Sequence, residues 1–272
     1  MIEKSNLIKE FFEKGKSGDC PVYDLHGHMG PFYGAYMPYP EPEEMVKMMD
    51  RAGVRMLVFC HHATLMTTAG NKPNIEAVRK FPDRLRAYCA VNPNFPEMLS
   101  EDLESFDEHR DVYVGFKFLA DYHCVPVNDV RYEPAWKFAD DRNLLMLLHT
   151  WGGSSFDDAE IVRKAVEKYK NVKVLLGHSC FGDWDGAMGL VRRFPNVYLE
   201  LTAVLPYRGI LEKLVEGVGS QRIIFGTDFP WFSHHYYIGC VLSADITDED
   251  RHNILHRNAE KLLSPFLNKD TF

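Results

Sequence analysis

The chain has 272 residues, 46% of them hydrophobic and 26% charged, with 31 basic against 39 acidic side chains and a net charge of -8. This is the composition of an ordinary globular protein long enough for one large α/β domain or two small ones, and it excludes general nucleic-acid binding, which needs a basic face. No apolar run reaches the roughly 20 residues of a membrane span and Met1–Gly18 lacks a signal's apolar core, while Cys20, Cys60, Cys89, Cys124, Cys180 and Cys240 stand singly, which fits reduced thiols in a cytoplasm.

Residues 3–15, within an N-terminal segment 1–20, read as an amphipathic helix with Ile8, Phe11 and Phe12 on one side. Val22-Tyr23-Asp24-Leu25-His26-Gly27-His28 then reads as a short buried strand running into a loop. Residues two apart in a strand point to the same side, so His26 and His28 face one way, close enough to share one ion. Gly27 leaves the backbone open to close approach. The aromatic, Pro-rich stretch 29–42 suits a loop over that same face, with Tyr33, Tyr36 and Tyr39 as an apolar rim. Glu41–Ala52 has helical periodicity and stops at Gly53.

From there the pattern alternates. Strands are predicted at 55–60, 85–91, 112–118, 144–148, 172–176, 197–201 and 222–225. Helices are predicted at 72–80, 96–109, 131–142, 156–169 and 184–193, with a closing helix over 248–263. About eight strand–helix units in about 250 residues predict a single (β/α)₈ barrel over 1–272, with a doubly wound open sheet as the competing arrangement. No Gly-rich dinucleotide fingerprint follows any strand, and Gly217-Val218-Gly219 reads as a turn.

The strand endings can then be compared. The first strand ends at His26 and His28, the fifth at His149, the sixth at His178 and the eighth at Asp228. In a barrel these ends meet at one face, where active sites lie. Neutral imidazoles and a carboxylate suit zinc or a similar divalent ion. One histidine at a strand end is more often a packed or solvated residue, but such a set on four separate strands argues for a site. His61 and His62 end the second strand on the same face, with at most one expected in the pocket. Tyr122 and His123 follow the fourth strand as substrate contacts or solvated loop residues. Cys180, Asp183 and Trp184 after His178, and Trp231 after Asp228, are candidates for the cavity wall. Glu200, near the end of the seventh strand, is placed to orient a ligand imidazole.

The order Asp24-Leu25-His26-Gly27-His28, Gly115-Phe116-Lys117, Leu148-His149-Thr150, Gly177-His178-Ser179 and Phe225-Gly226-Thr227-Asp228-Phe229-Pro230 resembles the amidohydrolase superfamily. It looks most like the amidohydrolase-related branch that includes the aminocarboxymuconate semialdehyde and resorcylate decarboxylases. The likeness runs on to Asn258-Ala259-Glu260-Lys261-Leu262. It implies a TIM barrel whose metal is bound by His26, His28 and Asp228, with His149 as a further ligand. His178 would move protons in a one-metal site or act as a ligand in a two-metal site. Zinc is the expected ion, with manganese as the alternative, and one ion is favoured over two. Such an ion lowers the pKa of bound water toward roughly 7, so that Asp228 would take the proton as water attacks. His178, with an ordinary pKa of about 6.5, would protonate a leaving group.

In binuclear relatives a fourth-strand lysine is carboxylated and bridges two metals, which Lys117 is placed to do. As a plain ammonium it would instead hold a substrate carboxylate or phosphate, or pair with an acid such as Glu200; the unmodified form is favoured. The decarboxylase branch typically lacks this lysine. The expected activity is therefore metal-dependent hydrolysis of an amide, lactone or ester in a small molecule. The alternatives are a non-oxidative decarboxylase of a small carboxylic acid, and a metal-binding protein without catalysis. The expected partner is a small-molecule substrate rather than nucleic acid or membrane, and barrels of this branch commonly form homodimers.

Overall fold

In the computed structural model, which describes residues 5–31, 36–66 and 69–267, the strands pair parallel in strict sequence order. They are β1 (Val22–Met29), β2 (Val54–His61), β3 (Leu85–Val91), β4 (Tyr113–Phe118), β5 (Leu145–Trp151), β6 (Lys173–Phe181), β7 (Val197–Glu200) and β8 (Ile223–Ile224). The ring closes where Leu25 N donates to Phe225 O at 3.0 Å and His28 N donates to Phe229 O at 2.7 Å, with Gly27 bridging Phe229. This nearly closed (β/α)₈ barrel replaces the open-sheet alternative. Among the described residues, no helix is long and apolar enough to cross a membrane.

The helices are α1 (Asn6–Lys14), α2 (Pro42–Ala52), α3 (His62–Met66), α4 (Lys72–Lys80), α5 (Pro96–Ser105), α6 (Ala120–His123) and α7 (Glu133–Arg142). They continue with α8 (Ala159–Lys168), α9 (Trp184–Arg193), α10 (Ile210–Val218), α11 (His234–Ser243), α12 (Asp248–His252) and α13 (Asn258–Leu263). Two expectations change in detail. In α1 the buried face is Leu7, Ile8 and Phe11, while Phe12 is 66% exposed, because the Leu7–Phe11 pair tilts the apolar stripe by one residue. The single closing helix is broken by a π-turn over Asn253–Arg257 between α12 and α13. Helix α11 carries little amphipathic pattern because, opposite the buried face of Tyr237, Ile238, Val241 and Leu242, it presents Tyr236, Gly239 and Cys240 rather than charged residues.

Alternation divides the strands into two packed layers. Met56, Val58, Tyr88, Leu145, Leu147 and Leu175 fill the barrel interior, and α13 plugs its lower end with Ala259, Leu262 and Leu263. Leu57, Phe59, Cys89, Met146, Leu148 and Leu176 face the helices. The two breaks in this alternation re-aim the residues of greatest chemical interest. On β1, Tyr23 and Leu25 already point inward, so strict alternation would turn His26 and His28 outward; an irregularity between Asp24 and Gly27 brings both imidazoles back inside. On β4 a register shift at Val114–Gly115 does the same for Lys117. Gly115 is required there, since a Cβ would run into the Leu145 backbone.

Asn71 ties α5 to the sheet: its amide donates to Ala90 O at 3.2 Å and Asp102 Oδ2 at 2.9 Å, and its carbonyl accepts Ala90 N at 2.8 Å. Burial pushes the Asp102 carboxyl up to about 6. A folded-state pKa raised above the unfolded value lends stability below about pH 4 that is lost as pH rises through about 6. Asp102→Asn, which keeps the acceptor for Asn71, should therefore raise stability by about 2 kcal/mol at about pH 8 and leave it unchanged at about pH 4. Thermal melts of both proteins at the two pH values test this; a pH-independent difference would defeat it.

Candidate metal centre

The carboxylate of Asp24 organises the mouth of the barrel. Its Oδ1 accepts His26 N at 2.9 Å, and its Oδ2 accepts from Thr227 Oγ1 at 2.5 Å and His234 Nε2 at 2.9 Å. This buried acid fixes the β1 irregularity and the loop that carries Asp228 in one stroke. Asp228 N donates to His26 O at 2.8 Å, and both Asp228 and His178 hold left-handed backbone angles, with φ of 58° and 68°. Non-glycine residues in that region are strained, and such strain gathers at functional sites.

His26, His28 and Asp228 form a compact donor set whose ligand atoms lie within 4.8 Å of one another. Asp228 Oδ1 is 3.0 Å from His26 Nε2 and 3.1 Å from His28 Nε2. On its far side, His26 Nδ1 donates to Glu200 Oε2 at 2.9 Å. Glu200 Oε2 also accepts His178 N at 3.1 Å, and its Oε1 accepts Thr202 N and Oγ1 at 2.8 and 2.6 Å. Burial pushes Glu200 up to about 7, against these hydrogen bonds. Burial, with Lys117 adding to it, holds the His26 ring well below its ordinary pKa and so neutral. For Asp228, burial alone would raise the pKa, but His26, His178 and His28 outweigh it and hold the carboxyl well below the ordinary range.

A neutral His26 that donates from Nδ1 presents a bare lone pair at Nε2, facing a carboxylate oxygen 3.0 Å away. Two acceptors at that distance repel unless a cation lies between them. The Lys117 ammonium, 1% exposed, reaches the same nitrogen at 3.1 Å, and no Lys117–Glu200 ion pair forms among the described residues. The donor set therefore fits a divalent ion held by neutral nitrogens and one ionised carboxylate. His149 stands outside this tight cluster. Its Nδ1 donates to buried Asp157 Oδ2 at 2.9 Å, which leaves Nε2 bare, and its ring meets His178 edge-on with centroids 4.7 Å apart. Burial also pushes His178 well below its ordinary pKa, so it is neutral rather than poised near 6.5 as the sequence suggested.

His26, His28, Lys117, His149, His178 and Asp228 line a cavity of about 530 Å³ whose wall also includes Leu119, Tyr122, Trp151, Ala203, Trp231 and Phe232. Trp231 and Tyr122 thus lie where the sequence put them. His61 does not: its ring packs over Gly30 and its Nδ1 accepts Ala63 N at 3.2 Å, outside this cavity. His62, rotated inward as α3 begins, lines it instead, with its ring 5.2 Å from His28 and 5.1 Å from Trp231. His123 is buried beneath the loop, bonded to Tyr132 Oη at 2.9 Å and Leu65 O at 2.7 Å, and does not reach the cavity. Cys180 is buried away from it, Asp183 caps α9 through Gly186 N, and Trp184 packs on Phe181. Tyr39 borders a smaller neighbouring pocket, Tyr36 is 86% exposed, and Tyr33 lies outside the described residues. Trp151, two residues beyond His149, and Asp24, two before His26, stand at the spacing of strand alternation; Asp157 carries no such signal.

Gly226 sits where any side chain would disturb this arrangement. A Cβ there would overlap Glu200 Oε1 and lie 2.8 Å from His26 Cβ. Gly226→Ala should weaken metal affinity about 10- to 100-fold by displacing the carboxylate that orients His26. Metal titration with the fold checked by circular dichroism reads this out, and wild-type affinity would refute the orienting role.

Eight parallel strands with titratable groups gathered at their C-terminal ends define an enzyme of the TIM-barrel class. The amidohydrolase family model matches residues 23–264, and the chain belongs to that family. Among solved structures, it is similar to an uncharacterised TIM-barrel protein from Bordetella bronchiseptica, with 17% identity, a TM-score of 0.77, and 90% of this chain and 99% of that one covered. A 2,6-dihydroxybenzoate decarboxylase from Rhizobium superposes at TM-score 0.69 with 15% identity over 90% and 99% of the two chains. A dihydroxybenzoic acid decarboxylase from Polaromonas, with bound manganese and the inhibitor 2-nitroresorcinol, gives 0.70 and 17% over 92% and 99%. A comparison with curated proteins finds no match.

Proposed function

We propose that this chain is a metal-dependent, non-oxidative decarboxylase of a small carboxylic acid, with His26, His28 and Asp228 holding one divalent ion. The observation that carries the reading is a cavity in which one compact donor set faces a predominantly aromatic wall. Charge disperses from a carboxylate as its C–C bond breaks, so an apolar wall favours the transition state over the bound anion. The names of the Rhizobium and Polaromonas proteins support the same reaction, and manganese in the latter moves that ion ahead of zinc.

A divalent ion held here supplies an electrophilic centre for the substrate's carboxylate and an adjacent hydroxyl. Lys117 places a second positive charge beside His26 for the same carboxylate. Asp228 takes the proton that the substrate's hydroxyl loses on binding. When the C–C bond breaks, its electron pair stays on the carbon, carbon dioxide departs, and Asp228 returns the proton to that carbon. His178, held neutral by burial, accepts hydrogen bonds at this stage rather than donating a proton. Tyr122, Trp151, Trp231 and Phe232 exclude water.

Hydrolysis of an amide, lactone or ester is the second reading, favoured by Lys117, which the decarboxylase branch typically lacks. Incubating the manganese-loaded protein with hydroxybenzoic acids in deuterium oxide separates the two. Decarboxylation should release carbon dioxide and leave deuterium on the vacated carbon. Turnover of esters, lactones or amides without carbon dioxide would establish hydrolysis, and no turnover on either panel with the metal bound would defeat both. As part of the same reading the chain pairs as a homodimer, which light scattering tests.

A further inference from the structure

The opposite end of the barrel carries a second group of soft and nitrogen donors. Cys20 lies just before β1, His252 ends α12, and His256 lies within the π-turn between α12 and α13. The Cys20 sulfur and one nitrogen from each histidine lie within 4.8 Å of one another. Cys20 is 2% exposed, and its thiol has no hydrogen bond among the described residues. His252 Nδ1 is 3.0 Å from His256 Nε2, with the rings nearly perpendicular at 82°. His256 Nδ1 in turn donates to Glu260 Oε1 at 3.0 Å. His252, His256 and Glu260 thus follow one another at four-residue steps, two imidazoles and the carboxylate that orients one of them.

We propose that Cys20, His252 and His256 bind a zinc ion that clasps the entry to β1 to the helix closing the barrel. In a tetrahedral zinc site nitrogen ligands lie about 3.3 Å apart, close to the 3.0 Å between His252 Nδ1 and His256 Nε2, and nitrogen and sulfur about 3.6 Å apart, inside the 4.8 Å that bounds this set. Because His256 donates from Nδ1, its Nε2 lone pair already points at the cluster. On binding, His252 moves its proton from Nδ1 to the solvent side at Nε2, and the Cys20 thiol releases its proton to water. The electrostatic surroundings favour a cation: the carboxylates of Asp19, Glu260 and Asp248 all act on Cys20, against the single Arg257 guanidinium, which Glu249 engages at 2.5 Å. π-turns recur at functional sites, and this one follows directly on His252 and carries His256.

Cobalt titration of the full chain, stripped of metal, provides the test. The cavity's donor set contains no sulfur, so thiolate-to-cobalt absorption reports only the second site. The band should appear in the wild type, persist in His28→Ala, vanish in Cys20→Ser and bleach on adding zinc. Cys20→Ser should also bind about one metal equivalent fewer. No thiolate band in the wild type, or an unchanged band in Cys20→Ser, would overturn the site. Should Cys20→Ser not fold, His252→Gln at its half-buried position must weaken the band, and an unaltered band there overturns the proposal equally. The His28→Ala arm keeps this outcome separate from any failure of the cavity reading.

Discussion

Asp228→Asn should leave the barrel intact and lower kcat about 10³-fold, or about 4 kcal/mol of barrier. Asparagine preserves the shape, and the backbone bond from residue 228 to His26 O does not involve the side chain. What disappears is the carboxylate between His26 and His28 and the proposed proton carrier. Without that anion, the imidazoles of His26 and His28 and a nearby ammonium surround the ion position, so metal affinity should fall along with turnover. Carbon dioxide release under saturating manganese, paired with metal content, separates the two losses. Full activity in a metal-replete Asp228→Asn protein would remove Asp228 from the chemistry.

The second large effect concerns Lys117, and it points two ways at once. Burial lowers the lysine's pKa, with Asp228 and Glu200 acting against burial, and its ammonium lies 3.1 Å from a nitrogen that the ion also requires. Lys117→Met should therefore keep or raise the melting temperature, since it removes a buried charge. It should also tighten metal binding by removing like charge. Meanwhile kcat/KM for a carboxylate substrate should fall about 100-fold, or roughly 3 kcal/mol, the cost of losing a charged hydrogen bond to the substrate. Metal titration and kinetics on one preparation suffice. Lost metal with lost activity would instead identify Lys117 as a ligand, the behaviour of a carboxylated bridge.

The barrel was legible because its signals are redundant. Apolar runs such as Leu144–Leu148 are punctuated at intervals too regular for another fold class, and His149, His178 and Asp228 each stand where such a run stops. The finer geometry was not, for identifiable reasons. Alternation places His26 and His28 on one side but does not say which, because the β1 irregularity reverses the inside–outside sense set by Tyr23 and Leu25. His61 and His62 are neighbours at a strand end, and the start of α3, invisible in the pattern, decides that His62 enters the cavity. His123 reads as a loop residue because the partners that bury it, Tyr132 and the distant Leu65 carbonyl, leave no periodic mark in the sequence. Asp157 falls inside the helix predicted at 156–169, which in the structure begins only at Ala159, yet it sets which nitrogen His149 presents.

The closure of the ring has a consequence for how the protein is made. The proposed ligand pair His28 and Asp228 is 200 residues apart, one partner on the first strand and the other just beyond the two-residue last strand. A nascent chain leaving the ribosome folds from its N-terminal end, so His26 and His28 emerge long before any carboxylate can complete their set. Under the proposed function, a chain stays inert toward its substrate until the segment carrying β8 and Asp228 has docked. Products cut before that segment would stay inert, and metal acquisition would then report that the ring has closed.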